Sequence, residues 1–451
     1  MKSASASGPA LRRTLTTLPL VFVVYFNVSG GAFTLEGLVA ETGPGLALAV
    51  LVAVPLLWSL PEVLLIGELA SMLPEEGGYY RWVQRAFGPF WGFQCGWCTW
   101  LYSMVDMAIY PVLFNQYLAF FVPDLSSIER YGVSLAVIWI AVAVNLRGAF
   151  DVGRVSTWVG VLVLAVFAAV SLGALPHQTR TPWLPFATAD SGLVEGIGVG
   201  LSVAIWNYIG WDNASTVQGE VVDASRTYPR ALAFALPLVT LGYLASVLPA
   251  LGATDWTTWS EGGWPAIARD AVGGGVLGAA LGAALAVAAL GSALALFNAL
   301  LMSYSRIPLA MASDGLLPRP LARLDANGTP RNAVLFSAIV YSACVLLDFE
   351  HLVVADVLLY ALAIFLEFAA LLMLRKREPG LRGSFRVPLG IPGLAALAAL
   401  PLSVFAVAVA LSFLDGEYGL PAALAAFGAA ALGPLAYALA VAERNRKSAA
   451  G

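Results

Sequence analysis

The sequence predicts an all-α polytopic membrane protein of twelve transmembrane helices, with helices one and six broken. Three observations carry this. First, 59% of the 451 residues are apolar and 12% are charged, with a mean hydropathy of +0.81. A soluble domain is nearer half apolar and a quarter charged. Second, hydropathy and turn signals divide the chain into twelve apolar segments. A bilayer span needs ~20 apolar residues, so twelve use ~240 and leave little more than loops outside. Third, 21 of the 24 Lys and Arg residues fall on alternate connections, and Arg130, Arg180 and Arg269 alone fall on the others. Positive charge collects on the cytoplasmic side, so both termini are expected in the cytoplasm and the protein in the cell membrane. The composition excludes a soluble enzyme and a disordered chain. A net charge of −4 leaves no basic face for nucleic acid.

The segments lie near residues 18–39, 46–71, 90–121, 132–146, 155–175, 192–222, 229–252, 274–309, 332–347, 351–374, 393–414 and 419–441. Arg12 and Arg13 precede the first as in a twin-arginine export signal, but no small-residue cleavage site follows and eleven more spans do. The first segment is interrupted by Asn27-Val28-Ser29-Gly30-Gly31. The second carries Glu62 after Pro61, and Glu68. The third carries Asp106. The sixth is interrupted by Trp206-Asn207-Tyr208-Ile209-Gly210-Trp211-Asp212-Asn213. The eighth opens on a stripe of Gly274, Gly278 and Gly282, which suits close helix packing. Breaks in helices one and six are five apart, the spacing of a 5+5 inverted repeat whose broken helices meet at the midplane. The expected layout is a tail over 1–15, repeats over 16–175 and 176–390, two further helices over 391–442 and a tail over 443–451.

Acids inside spans are costly, and so are functional candidates. They are Glu36, Glu62, Glu68, Asp106, Asp212, Glu220 and Glu367. Tyr102, Asp106 and Ile109 share one helix face, where a buried carboxylate can pair with an amine or carry a proton. Glu68 and Glu220 fall near cytoplasmic ends and suit a gate or a structural ion pair. Free amides at a half-helix start attract a carboxylate, and free carbonyls at the other half's end attract an ammonium or Na⁺. Trp206, Tyr208 and Trp211 are placed to cover an organic cation. The Cys95-Gly-Trp-Cys98 string has no second pair, and His177 and His351 are the only histidines. No metal site or cofactor is therefore expected. Gly196, Gly198 and Gly200 follow no strand and make no nucleotide loop.

These strings resemble the amino acid–polyamine–organocation superfamily. Val28-Ser29-Gly30-Gly31, Pro74-Glu-Glu-Gly-Gly-Tyr-Tyr80-Arg-Trp82, Gly88-Pro-Phe-Trp-Gly-Phe93 and Asp314-Gly-Leu-Leu-Pro318 carry the likeness over roughly residues 15–440. It implies the LeuT-like inverted repeat. Within the superfamily the chain is most similar to plant-type polyamine uptake transporters, through Trp58-Ser-Leu-Pro-Glu62, Val105-Asp106, Tyr110-Pro-Val-Leu-Phe114, Trp206-Asn207, Trp211-Asp212 and Gly219-Glu220. The sixth-helix string Trp206, Ile209-Gly210 and Asp212 is also similar to the arginine–agmatine antiporter. There the tryptophan lids the substrate, which implies that role for Trp206.

The resemblance implies a secondary active transporter, not an enzyme. It would import amino acids or polyamines by alternating access, with H⁺ as coupling ion and Na⁺ as the other option. An exchanger or a neutral amino acid permease is the alternative. The expected substrate contacts are Asn27, Val28, Ser29, Gly30, Gly31, Tyr102, Asp106, Ile109, Trp206, Asn207, Tyr208, Ile209 and Trp211. The expected coupling or gating groups are Glu62, Asp106, Asp212 and Glu220. Against the plant pattern, Asn27, Leu300 and Tyr304 stand where acids are expected. Fewer acids mean fewer counter-charges for a long polycation.

Overall fold

Lipid offers no hydrogen bonds, so a chain this apolar must close its backbone bonds within helices. The computed structural model describes residues 11–188, 193–346, 352–414 and 419–449. Most of the expected tail over 1–15, and His351, lie outside the described residues. Among those described, the one β pairing is an isolated parallel bridge, Leu15 to Val221. The first half comprises α1 (Thr17–Val28), α2 (Leu35–Thr42), α3 (Pro44–Val54), α4 (Leu60–Met72), α5 (Gly78–Phe87), α6 (Pro89–Leu118), α7 (Ser127–Asn145) and α8 (Ala149–Ala174). The second half comprises α9 (Leu193–Trp206), a 3₁₀ stretch (Asn213–Glu220), α10 (Ala224–Ala253), α11 (Trp264–Ala271), α12 (Gly275–Ser313), α13 (Arg331–Cys344) and α14 (Leu352–Arg377). Then come α15 (Ile391–Leu414), α16 (Gly419–Ala431) and α17 (Gly433–Ala449).

Eight helical spans among the described residues are long and apolar enough to cross a membrane. One of them joins α3 to α4 through a π turn at Pro55–Ser59, because Pro55 lacks the amide that a regular turn uses. Four expected segments fall outside the eight, each for a visible reason. The first and sixth are cut into shorter pieces. The third, α6, runs 30 residues but interleaves Gln94, Thr99, Ser103 and Asp106 with its apolar positions. The ninth, α13, has only 14 residues. Two short helices, α5 and α11, form in stretches that hydropathy leaves as loops. Their indoles anchor them: Trp82 Nε1 donates to the Leu73 carbonyl at 3.0 Å, and Trp264 Nε1 to that of Ala32 at 2.7 Å.

The broken helices meet in pairs. The α2 helix packs on α9, and α1 packs on the 213–220 stretch. Helices α8, α10 and α12 enclose α1. The two breaks touch at Gly210, whose φ is +98°. A Cβ there would lie 2.3 Å from the Asn27 carbonyl oxygen. Only glycine allows this backbone approach. Gly210→Ala is therefore expected to cost about 3–5 kcal/mol, from left-handed strain plus overpacking. Thermal unfolding of the purified protein reads this, and an unchanged melting temperature contradicts the crossing.

Candidate substrate cavity

Breaking a helix frees amides and carbonyls that must find partners. At the first break the Ser29 and Gly30 amides both reach the Tyr25 carbonyl, at 2.8 and 3.2 Å. The Gly31 amide donates to Ser29 Oγ at 3.0 Å. Ser292 Oγ of α12 donates to the Gly30 carbonyl at 2.5 Å. At the second break, tyrosines from neighbouring helices do this work. Tyr243 donates to the Asn207 carbonyl at 2.9 Å and Tyr228 to that of Trp211 at 2.8 Å, while the Gly210 amide donates to the Tyr360 hydroxyl at 3.1 Å. The breaks are tied directly by Thr34 Oγ1, which donates to Asn207 Oδ1 at 3.1 Å. These bonds hold both irregular stretches rigid enough to wall a site.

Between the breaks lies a small cavity lined by Asn27, Val28, Ser29, Tyr102, Asp106, Trp206, Asn207, Ile209, Tyr304, Asp356 and Tyr360, among others. Its free volume of about 20 Å³ holds a water molecule or so. Two carboxylates face it. Asp106 of α6 accepts from Tyr110 at 2.6 Å and from Tyr304 of α12 at 2.8 Å. Tyr304 in turn accepts from Asn213 Nδ2 at 3.2 Å, and Tyr102 donates to Asn213 Oδ1 at 2.7 Å. Asp356 of α14 is fully buried, and neither of its oxygens meets a donor. Unlike Asp106, it has no group among the described residues to satisfy it.

Asn27, Val28, Ser29, Tyr102, Asp106, Trp206, Asn207 and Ile209 thus come together at one cavity. The remaining expected contacts do not line it. Gly30 backs onto Ser292 and Leu296, and Gly31 onto Val163 and Phe33. Ile109 lines a second cavity beyond Trp206. Tyr208 turns its ring to Tyr243 and its hydroxyl to the Leu51 carbonyl. Trp211 is fully buried, with Nε1 bonded to the Tyr208 carbonyl at 2.8 Å. Tyr208 and Trp211 were expected to cover a substrate because they lie beside the break, but here both side chains turn away from the cavity, since neighbours in an irregular stretch need not face the same way.

Glu62 and Asp212 meet at one hydroxyl. Tyr360 Oη lies 2.6 Å from Glu62 Oε1 and 2.9 Å from Asp212 Oδ1. It has one proton to donate and already accepts from Gly210. Both short contacts are satisfied together when one of the two carboxyls carries a proton. Glu367, also fully buried, lies with its carboxyl beside that of Asp212 and meets no amide, hydroxyl or cationic donor among the described residues. The Tyr360 ring packs edge-on against Tyr102 in the cavity wall, 5.5 Å between centroids. Among the described residues no group of three or more His, Cys, Asp or Glu side chains is placed to hold a metal ion. Cys95 and Cys98 are free and buried.

Glu220 is built differently. Its Oε1 receives Arg306 Nη2 at 2.6 Å and Nε at 2.9 Å, with Glu76 Oε1 3.8 Å from the same guanidinium. Arg306, near the C-terminal end of α12, is fully buried. Glu68 is likewise gripped by Arg375 at 2.5 and 2.6 Å. Beyond the end of α12, Asp314 takes Arg81, Tyr80 and Gln84 of α5. Partial burial pushes the Asp314 carboxyl up, but those bonds outweigh it and hold it below the usual carboxylate range. These pairs, with the Leu15–Val221 bridge, lock α1, the 213–220 stretch, α5 and α12 together at the end opposite α2 and α9.

A bundle of membrane-crossing helices around a closed polar cavity defines a membrane permease, not an enzyme. Comparison with known proteins agrees. Residues 15–429 match the amino acid permease family model, and the chain belongs to that family. It is 36% identical to the polyamine transporter PUT1 of Oryza sativa subsp. japonica, over 95% of this chain and 79% of that one. It is 36% identical to the polyamine transporter RMV1 of Arabidopsis thaliana, over 84% and 77%. It is 27% identical to the branched-chain amino acid permease BcaP of Lactococcus lactis subsp. cremoris, over 69% and 71%.

Removing one member of a buried ion pair strands the other. Arg306→Leu leaves Glu220 and Glu76 facing each other without a cation, and is expected to destabilise the protein by about 3–5 kcal/mol. Thermal unfolding measures this. A variant as stable as wild type contradicts the assignment of Arg306 as the tie at this end.

Proposed function

We propose that this protein is a secondary active transporter that imports cationic amines by alternating access, coupled to protons. The observation that carries the reading is the pair Asp106 and Asp356 facing one cavity with no cation among the described residues beside them. A buried carboxylate without a donor is costly, and an ammonium with three donors answers it. Two carboxylates facing one small cavity suit an ammonium held between them. The similarity to PUT1 and RMV1 supports this substrate class.

In this reading the chain forms twelve transmembrane helices in a LeuT-like 5+5 repeat plus two, with both termini cytoplasmic in the cell membrane. Trp206, which lines both the central and the second cavity, is the outer lid. The Arg306–Glu220 tie is the closed inner gate. Glu62, Asp212 and Glu367 carry the coupling proton, and Tyr360 links them to the substrate wall. With the inner end tied and space open beyond Trp206, this geometry suits an outward-facing, closed-cavity state.

A neutral amino acid is the second reading. BcaP supports it, and so does the uncharged Asn27 at the break. Its carboxylate would need free amides there, whereas the Gly30 and Gly31 amides are engaged within the break.

Uptake into proteoliposomes under an imposed pH gradient, with labelled putrescine and labelled amino acids in parallel, tests the proposal. Putrescine uptake that depends on the gradient is expected. Asp106→Asn and Asp356→Asn should each raise its KM at least about tenfold, the worth of one hydrogen bond to a charge. Glu62→Gln should remove the pH dependence before it removes binding. Amino acid uptake without putrescine uptake contradicts the amine reading.

A further inference from the structure

Beyond Trp206, between α2, α6, α9 and the loop before α11, lies a second cavity of about 110 Å³. Thr34, Leu113 and Trp206 line both it and the central cavity, so the two adjoin, with the indole in the wall between them. Its acids are Glu36, Glu41 and Glu261. Glu41 and Glu261 are exposed at its mouth. Glu36 is fully buried. Glu36 Oε1 accepts from Tyr117 at 2.6 Å and from the Gly262 amide at 3.0 Å, while Oε2 is buried and meets no donor. Glu261 lies against α2: a Cβ on Gly37 would sit 2.9 Å from its Cγ. Ile109, Val112 and Val203 complete the wall.

The outer cavity thus combines carboxylates with an apolar wall, and the Asp106 and Asp356 carboxylates face the central cavity that adjoins it at Trp206. A metal ion needs clustered ligands, and these acids are not grouped to hold one. An apolar wall would waste the hydration of such an ion. Ammonium groups separated by methylenes match charge with charge and hydrocarbon with hydrocarbon. We infer that the outer cavity is a second ammonium site, which holds the distal amine of a tri- or tetra-amine whose proximal amine sits between Asp106 and Asp356. The inference rests on the amine reading above. It adds that chain length is read by Glu36, Glu41 and Glu261. A diamine is too short to use them while it occupies the central site, so the outer site favours longer polyamines.

Binding of spermidine and of putrescine to the full chain in lipid nanodiscs, by calorimetry, tests it. The variants are E36Q, the double variant E41Q/E261Q, and D106N. The amide oxygen introduced by E36Q still accepts from Tyr117 and Gly262, and residues 41 and 261 are exposed, so melting temperatures should match wild type. The triamine is expected to bind more tightly than the diamine. In E36Q the ratio of triamine to diamine affinity should fall about tenfold, the loss of one charged hydrogen bond. In E41Q/E261Q it should fall about threefold or more, as for exposed charges. D106N should weaken both amines. An unchanged ratio in both outer variants, with D106N still weakening both amines, overturns the outer site and leaves the amine reading standing. No binding of either amine to wild type overturns the amine reading, and this inference with it.

Discussion

A carboxylate taken out of water must find a donor, a cation or a proton. The rest of this structure is arranged around that requirement. The buried acids meet it in three ways. Glu68 and Glu220 are held by Arg375 and Arg306. Asp106, Glu36 and the Glu62–Asp212 pair are held by tyrosine hydroxyls. Asp356 and Glu367 meet no amide, hydroxyl or cationic donor among the described residues. The first kind ties helices together. The second is adjustable, because a tyrosine can turn from one acceptor to another. The third is the kind that a mobile cation or proton satisfies, and it lies where the broken helices meet.

The breaks make this arrangement possible. A continuous helix six would bury its own backbone groups and leave no room for Asp106 to face Asp356 across a cavity. Tyr228, Tyr243 and Tyr360 satisfy the freed groups instead. Tyr360 therefore belongs to the break, to the acid pair and to the cavity wall at once. In the proposed mechanism, a change in which carboxyl holds the proton at Tyr360 would act directly on the cavity wall.

Much of this was legible in the sequence. Gly30, Gly31 and Gly210, beside short polar side chains, mark both breaks, because little else in an apolar run weakens a helix. Asp106 stood out for the same reason. The tyrosine partners were not legible: they reach across segments far apart in sequence, with no periodicity to mark them. Tyr304 stood only as a lost acid, yet its hydroxyl is what steadies Asp106. Asp356 gave no signal, since it falls five residues into a segment expected from 351, where a carboxylate suits the membrane interface. Its recovery restores a counter-charge that Asn27 and Leu300 had removed. Tyr208 and Trp211 were expected at the cavity because they lie beside the break, and adjacency in sequence does not tell which way a side chain turns in an irregular stretch. The lysine and arginine pattern counted Arg306 among the cytoplasmic-side charges but did not show that it is fully buried and tied to Glu220.

The most direct test of the central claim is an electron cryo-microscopy structure of the protein with putrescine bound. The account predicts ligand density in the cavity between the two breaks, with one ammonium within hydrogen-bond distance of both Asp106 and Asp356. Density at another place, or a cavity that stays closed with Asp356 still unpartnered at saturating putrescine, would contradict it.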